Sequence, residues 1–96
     1  MKLKIEQLIN DRNNPASKQM VVTDRGIRTF FSYGSPICRK SIKRGTLTFG
    51  SKYRYSRTTM KHLLIYLRDY EGWDTHSIKD VDEAIKAKRV KYTEKW

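Results

Sequence analysis

A chain of 96 residues with 38% hydrophobic and 11% aromatic composition suits one domain, whose small core buries about 60 to 65% of the surface of the unfolded chain. Its formal net charge of +11, from 21 Lys and Arg against 10 Asp and Glu, excludes an acidic mimic of DNA and points to a polyanionic partner. One cysteine, Cys38, excludes an intrachain disulfide and a cysteine-rich zinc site. The apolar run Leu63 to Leu67 falls far short of the roughly 20 residues of a membrane span, and Met1-Lys2-Leu3-Lys4-Ile5-Glu6 lacks the apolar centre of a signal peptide. A cytoplasmic protein with no membrane attachment is the expectation.

Residues Lys2 to Asn10 place Leu3, Ile5, Leu8 and Ile9 at mixed spacings that fit a short helix or an irregular apolar arm, and we expect a helix. Asp11 to Ser17 is turn chemistry, because Pro15 fixes its own φ and disfavours α geometry at Asn14. Gln19 to Thr23 and Ile27 to Tyr33 are rich in β-branched and aromatic residues around Asp24-Arg25-Gly26, the pattern of a β-hairpin. Gly34-Ser35-Pro36 breaks the second strand, and Ile37 to Ile42 reads as another short strand or a turn of helix. Beyond Gly45, Leu47, Phe49, Tyr53 and Tyr55 share one parity and Thr46, Thr48, Lys52 and Arg54 the other, with Gly50 marking a bulge or turn.

Ser56 is a suitable N-cap for a helix over Arg57 to Asp69, in which Met60, Leu63, Leu64 and Leu67 form a core-facing stripe. Glu71-Gly72-Trp73 closes it. Thr75 or Ser77 opens a second helix whose acids (Asp80, Asp82, Glu83) come early and whose cations (Lys86, Lys88, Arg89) come late, as the helix dipole favours. The tail Val90 to Trp96 alternates like an edge strand or a docked arm. The expected fold is therefore one α+β domain over residues 1–96, a small antiparallel sheet packed by two helices. Within it, residues 1–17 form the N-terminal helix or arm and turn, 18–55 are mainly strands, 56–89 hold the two helices, and 90–96 form the tail.

Charge is unevenly placed. From Arg25 to Arg68 there are eleven Lys or Arg residues and no Asp or Glu, while the rest of the chain holds ten of each sign. Lys and Arg neutralise phosphates whatever the base sequence, so we expect an anion-binding surface of Lys52, Arg54, Arg57 and Lys61, extended by Arg39, Lys40, Lys43, Arg44 and Arg68. Tyr33, Tyr53 and Tyr55 lie among these cations and are candidates to stack on unpaired bases. Hydroxyls and amides around Ser56, Thr58 and Thr59 offer either an anion cradle or an ordinary helix cap. Lys86, Lys88 and Arg89 are left out of the site, because the helix dipole explains them. His62 and His76 read as surface or boundary residues, and Cys38 as a small buried thiol. No HExxH, CxxC, Walker-type loop or GxSxG occurs, and a metal-dependent nuclease would want converging carboxylates in the basic region. A binding protein without catalysis, metal or cofactor is expected.

The segments Asn14 through Gln19, Thr23-Asp24-Arg25-Gly26, Ser32-Tyr33 and above all Tyr55-Ser56-Arg57-Thr58-Thr59, with Lys61 and Tyr66-Leu67, resemble a family of short proteins from bacteriophages and prophages. The chain departs from that pattern at His62 and Tyr66 and in its more basic middle. The resemblance implies a phage accessory protein without assigned activity, and carries over no site residue. Two functions fit these features: non-catalytic binding of DNA or RNA, or inhibition of a host defence nucleoprotein complex in the manner of an anti-CRISPR protein. The second would direct the basic surface at guide RNA, target DNA or an acidic protein surface.

Overall fold

The computed structural model describes residues 3–10, 12–75, 77–94 and 96; His76 therefore lies outside the described residues. Two Xaa-Gly turns organise the centre of its sheet. Arg25-Gly26 takes φ of 54° and 79°, and Tyr33-Gly34 takes 52° and 80°, the left-handed values that a type I′ turn needs to match the twist of paired strands. These turns join β2 (Pro15–Asp24), β3 (Ile27–Ser32) and β4 (Ser35–Ser41). The Asp24-Arg25-Gly26 hairpin is thus as the sequence indicated. Gly34-Ser35-Pro36 is not a break, however: the chain reverses at Tyr33-Gly34 and β4 begins at once with Ser35.

The first strand, β1 (Leu3–Ile9), replaces the expected N-terminal helix. It runs antiparallel to β2 with Lys4 opposite Thr23 and Ile5 opposite Val22. Leu8 is fully buried while Leu3, Ile5 and Ile9 are 62%, 57% and 42% exposed. The alternation was present, but its apolar members face outwards, which disguised a strand as a short amphipathic helix. The alternating run after Gly45 also ends sooner than expected. β5 covers Thr46–Gly50, and Ser51–Arg54 is a 3₁₀ turn, so Lys52, Tyr53, Arg54 and Tyr55 are not strand residues. A Cβ on Gly50 would come within 2.7 Å of the Trp96 ring, so the glycine admits a close approach of indole to backbone.

α1 (Arg57–Tyr70) and α2 (Ile78–Lys86) lead to β6 (Lys91–Thr93). β6 pairs parallel to β5, completing a six-stranded sheet in chain order that is otherwise antiparallel. Contacts to α1 fall on one face of that sheet, through Arg28 to Tyr66 and Ser32 to Thr59. Val21, Phe30, Cys38 and Phe49 on this face are fully buried. A register shift between Phe30 and Phe31 bulges β4, which allows successive residues Ile37 and Cys38 both to be buried, at 1% and 0% exposure. α1 buries Thr59, Leu63, Ile65, Tyr66 and Leu67, whereas Met60 and Leu64 of the expected stripe are only half-buried. The buried face turns towards Tyr66 because its ring stacks between Phe30 and Tyr70, with centroids 5.3 and 5.2 Å away. No helix among the described residues is long and apolar enough to cross a membrane.

Candidate nucleic-acid interface

Two of the eleven cations in the acid-free block turn inwards. Glu71, just past α1, has a side chain only 1% exposed. Its carboxylate accepts hydrogen bonds from Tyr66 OH at 2.6 Å, Arg28 Nη2 at 3.0 Å and Lys40 Nζ at 3.0 Å. Arg28 also donates to the Tyr70 carbonyl at 3.0 Å and lies 5.6 Å from the centroid of the Tyr70 ring. Burial by itself would raise the Glu71 pKa, but the bonds from Tyr66, Lys40 and Arg28 hold it below the ordinary carboxylate value. Burial pushes the Tyr66 hydroxyl well up, so it remains a donor. Lys40, expected on the binding surface, is instead a structural cation of this network.

The remaining expected residues separate into three places. Arg39 follows the strand alternation to the side opposite Lys40, where its guanidinium stands 4.6 Å from the centroid of the Trp96 ring. Lys43 and Arg44 are exposed in the turn between β4 and β5. The whole of β5, five residues or about 16 Å of strand, separates them from the 3₁₀ turn bearing Lys52 and Arg54. The single extended surface drawn from sequence is therefore divided.

What does converge is the end of the sheet where α1 starts. Ser56 caps the helix by accepting from Thr59 N at 3.1 Å, and Thr59 Oγ1 meets Ser32 Oγ at 3.0 Å. That link brings the Tyr33-Gly34 turn, the 3₁₀ turn and the first turn of α1 to one end. The Ser56 and Thr59 hydroxyls are spent on the cap and on β3, and Thr59 is 1% exposed, so the capping explanation holds over the cradle. Tyr33 and Tyr55 are 49% and 72% exposed. Lys52, Arg57 and Lys61 are exposed and have no ion pair with any described residue. On the helix Arg57, Lys61 and Arg68 fall within about 40° of one another. Arg68 reaches Asp69 at 3.1 Å.

Two expected members are compromised here. Tyr53 donates to Asp82 Oδ1 at 2.5 Å and packs with its ring centroid 6.1 Å from Phe49 and 6.2 Å from Tyr92. Burial, reinforced by Asp82, pushes its hydroxyl up to about 12. It is half-buried, with its hydroxyl held by Asp82 and its ring packed against Phe49 and Tyr92. Arg54 is held at 3.1 Å by the other oxygen of Asp82.

Cys38 is fully buried, and burial pushes its thiol well above the ordinary value, so it stays protonated. His62 Nδ1 donates to the Thr58 carbonyl at 2.7 Å. Among the described residues no group of three or more His, Cys, Asp or Glu is arranged to hold a metal ion. The sequence reading missed a second basic place, a cleft bordered by Lys40, Lys88, Arg89 and Lys91. Those residues read as helix-dipole partners and tail, and only the tertiary fold brings them to Lys40.

A protein-family model described as a family of unknown function (DUF8033) matches residues 3–85, from β1 into α2. No curated protein and no solved structure matches the chain.

Proposed function

We propose that this chain, which belongs to the DUF8033 family of unknown function, binds nucleic acid without catalysis through the end of the domain where α1 begins. The observation that carries this reading is the group of exposed cations Lys52, Arg57 and Lys61, without ion pairs to described residues, on the 3₁₀ turn and the first turns of α1, with the exposed Tyr55 between them in the chain. Cations left without carboxylate partners repel one another, and a row of phosphates relieves that repulsion while releasing condensed counterions. Arg68 continues the row along α1. Tyr55 and Tyr33 add rings able to stack on splayed bases, which favours single-stranded over duplex ligands.

The test is fluorescence anisotropy with labelled single-stranded DNA, duplex DNA and RNA at about 50 and 200 mM salt. Three phosphate contacts correspond to roughly a 20-fold loss of affinity for a single strand, and roughly 40-fold for duplex DNA, across that interval. Ala at Lys52, Arg57 and Lys61 together is expected to remove most of the binding and nearly all of the salt dependence. Absence of binding at the lower salt, or undiminished binding by the folded triple variant, would overturn the reading.

A second reading keeps the same surface but makes the target a nucleoprotein, such as a host defence complex met by a phage accessory protein. The observation favouring it is the exposed apolar row Leu3, Ile5 and Ile9 on edge strand β1, chemistry suited to a protein surface. It requires weak affinity for naked nucleic acid and capture of one defined nucleoprotein. Loss of that capture on Ile5→Lys would separate it from nucleic-acid binding alone.

A further inference from the structure

The two edges of the sheet are unequal. β6 contributes three residues to one edge, whereas β1 offers seven to the other, and among the described residues no strand lies outside β1. Proteins usually blunt a long edge with proline, a bulge or an inward-pointing charge, because its free N–H and C=O groups recruit another strand. β1 has no proline, and its register irregularity falls late, between Gln7 and Ile9. Leu3 to Gln7 therefore forms a regular stretch of five residues, about 16 Å long, with Ile5 at its middle.

The side chains of that stretch divide by parity. Lys4 and Glu6 lie on the α1 side, where they pair with each other at 2.8 Å and Glu6 accepts from Tyr70 OH at 2.7 Å. Leu3 and Ile5 lie on the other side and are exposed, and Val22 opposite Ile5 continues the apolar surface. Nor does this edge share the chain's excess of positive charge. β1 and β2 together carry Lys4 and Lys18 against Glu6 and Asp24, so two copies can approach here without the repulsion that the basic surfaces would impose.

We propose that two copies of this chain join edge to edge through β1, antiparallel about a two-fold axis at Ile5, so that one sheet runs through both. Such an interface is self-complementary, because each copy presents the same strand to the other. The charges decide its register. With the axis at Ile5, Lys4 of each copy stands opposite the partner's Glu6, Leu3 opposite the partner's Gln7, and Ile5 opposite the partner's Ile5. Moving the axis by one residue sets Lys4 opposite the partner's Lys4 or Glu6 opposite the partner's Glu6, and like charges directly opposed destabilise a strand pair. The register that pairs opposite charges is thus also the one that centres the regular stretch. Main-chain groups make the joint, and the face bearing Leu3 and Ile5 stays open to other proteins. The joint is remote from the Lys52 to Lys61 surface and goes beyond the nucleic-acid reading.

Analytical ultracentrifugation of the full chain over a concentration series measures the association, with circular dichroism to confirm that each variant is folded. Lys4→Glu and Glu6→Lys each turn attraction into repulsion at both charged pairs, and each should weaken the dimer about tenfold. Mixed together, the two variants regain opposite signs at both pairs and should form a heterodimer in preference to either homodimer. Cysteine cross-linking reads the axis. Directly opposed residues have Cα atoms about 4.5 to 5.5 Å apart, within disulfide reach, so Ile5→Cys should give a covalent dimer under mild oxidation. Gln7 and the partner's Gln7 would be more than about 13 Å apart, and Gln7→Cys should stay uncrosslinked; Cys38 is fully buried and takes no part. A monomer throughout the series, which would leave the edge to a different protein, would overturn the proposal. So would failure of the mixed variants to pair, or a Gln7→Cys cross-link as ready as that of Ile5→Cys.

Discussion

The two ends of α1 treat positive charge in opposite ways. At its C-terminal end Arg28 and Lys40, with side chains 22% and 24% exposed, converge on the buried carboxylate of Glu71. At its N-terminal end Lys52, Arg57 and Lys61 are exposed and form no ion pair with a described residue. All five come from one acid-free stretch of sequence, so that stretch is not one surface. Acids outside it return in the fold to claim some of its cations: Glu71 takes Arg28 and Lys40, and Asp82 takes Arg54. The residues left over are the ones to which a binding role can be assigned.

The largest expected effect comes from breaking the inward end. Glu71→Gln leaves Arg28 and Lys40 with no carboxylate, and loss of one partner from a buried ion pair costs about 3 to 5 kcal/mol. A domain of this size has a total stability of the order of 5 to 10 kcal/mol, so the variant should be partly unfolded at growth temperature. Urea denaturation followed by circular dichroism measures this, and a shift under about 1 kcal/mol would mean that the network is no stronger than a surface pair. Acid should reproduce part of the effect. The Glu71 carboxyl is depressed in the folded state, so its contribution is fully present above the unfolded carboxylate value of about 4.3 and is lost as pH falls through the lower folded value. Unfolding midpoints at neutral pH and near pH 3 should differ more for the parent than for Glu71→Gln.

A smaller effect is expected from the hydroxyl inside the same network. Tyr66→Phe keeps the stack on Phe30 but removes a donor to Glu71 and an acceptor for Arg28, a loss of about 1 to 3 kcal/mol. Tyr70→Phe removes only the bond to Glu6 at 2.7 Å near the edge of the sheet, and should cost less, about 0.5 to 1.5 kcal/mol. If the two variants lost equal stability in the same denaturation series, the distinction drawn between buried network and exposed rim would fail.

How far this contrast was legible in the sequence depends on the range of the contacts. Asp24-Arg25-Gly26, the Ser56 cap and the parity of Leu47 with Phe49 are local signals, and each reads correctly. β1 was misread because Leu3, Ile5 and Ile9 face solvent and Leu8 alone is buried, the inverse of the usual alternation. Tyr66 was not singled out as core because Phe30, its stacking partner, belongs to a distant strand. The outward cations were accessible from helix geometry, since Arg57, Lys61 and Arg68 share a side of α1 whatever packs behind it. Lys40 was not, because its partner lies 31 residues away and no local pattern announces it. The cleft bordered by Lys40, Lys88, Arg89 and Lys91 was hidden for the same reason.

The smallest effect on stability is expected where the proposed effect on function is largest. Ala at Lys52, Arg57 and Lys61 removes no hydrogen bond or ion pair to a described residue, and exposed substitutions of this kind usually fall within about 0.5 kcal/mol of the parent each. Removing three like charges from a chain of net charge +11 also relieves self-repulsion. The urea midpoint should therefore stay level or rise slightly, and any rise should shrink as salt screens the repulsion over about 8 to 10 Å at 0.10 to 0.15 M ionic strength. Nucleic-acid affinity should fall together with its salt dependence, whereas Glu71→Gln, measured at a temperature where it remains folded, should bind as the parent does. If the triple variant lost stability as Glu71→Gln does, its cations would be structural like Arg28 and Lys40, and the two ends of α1 would not differ in kind.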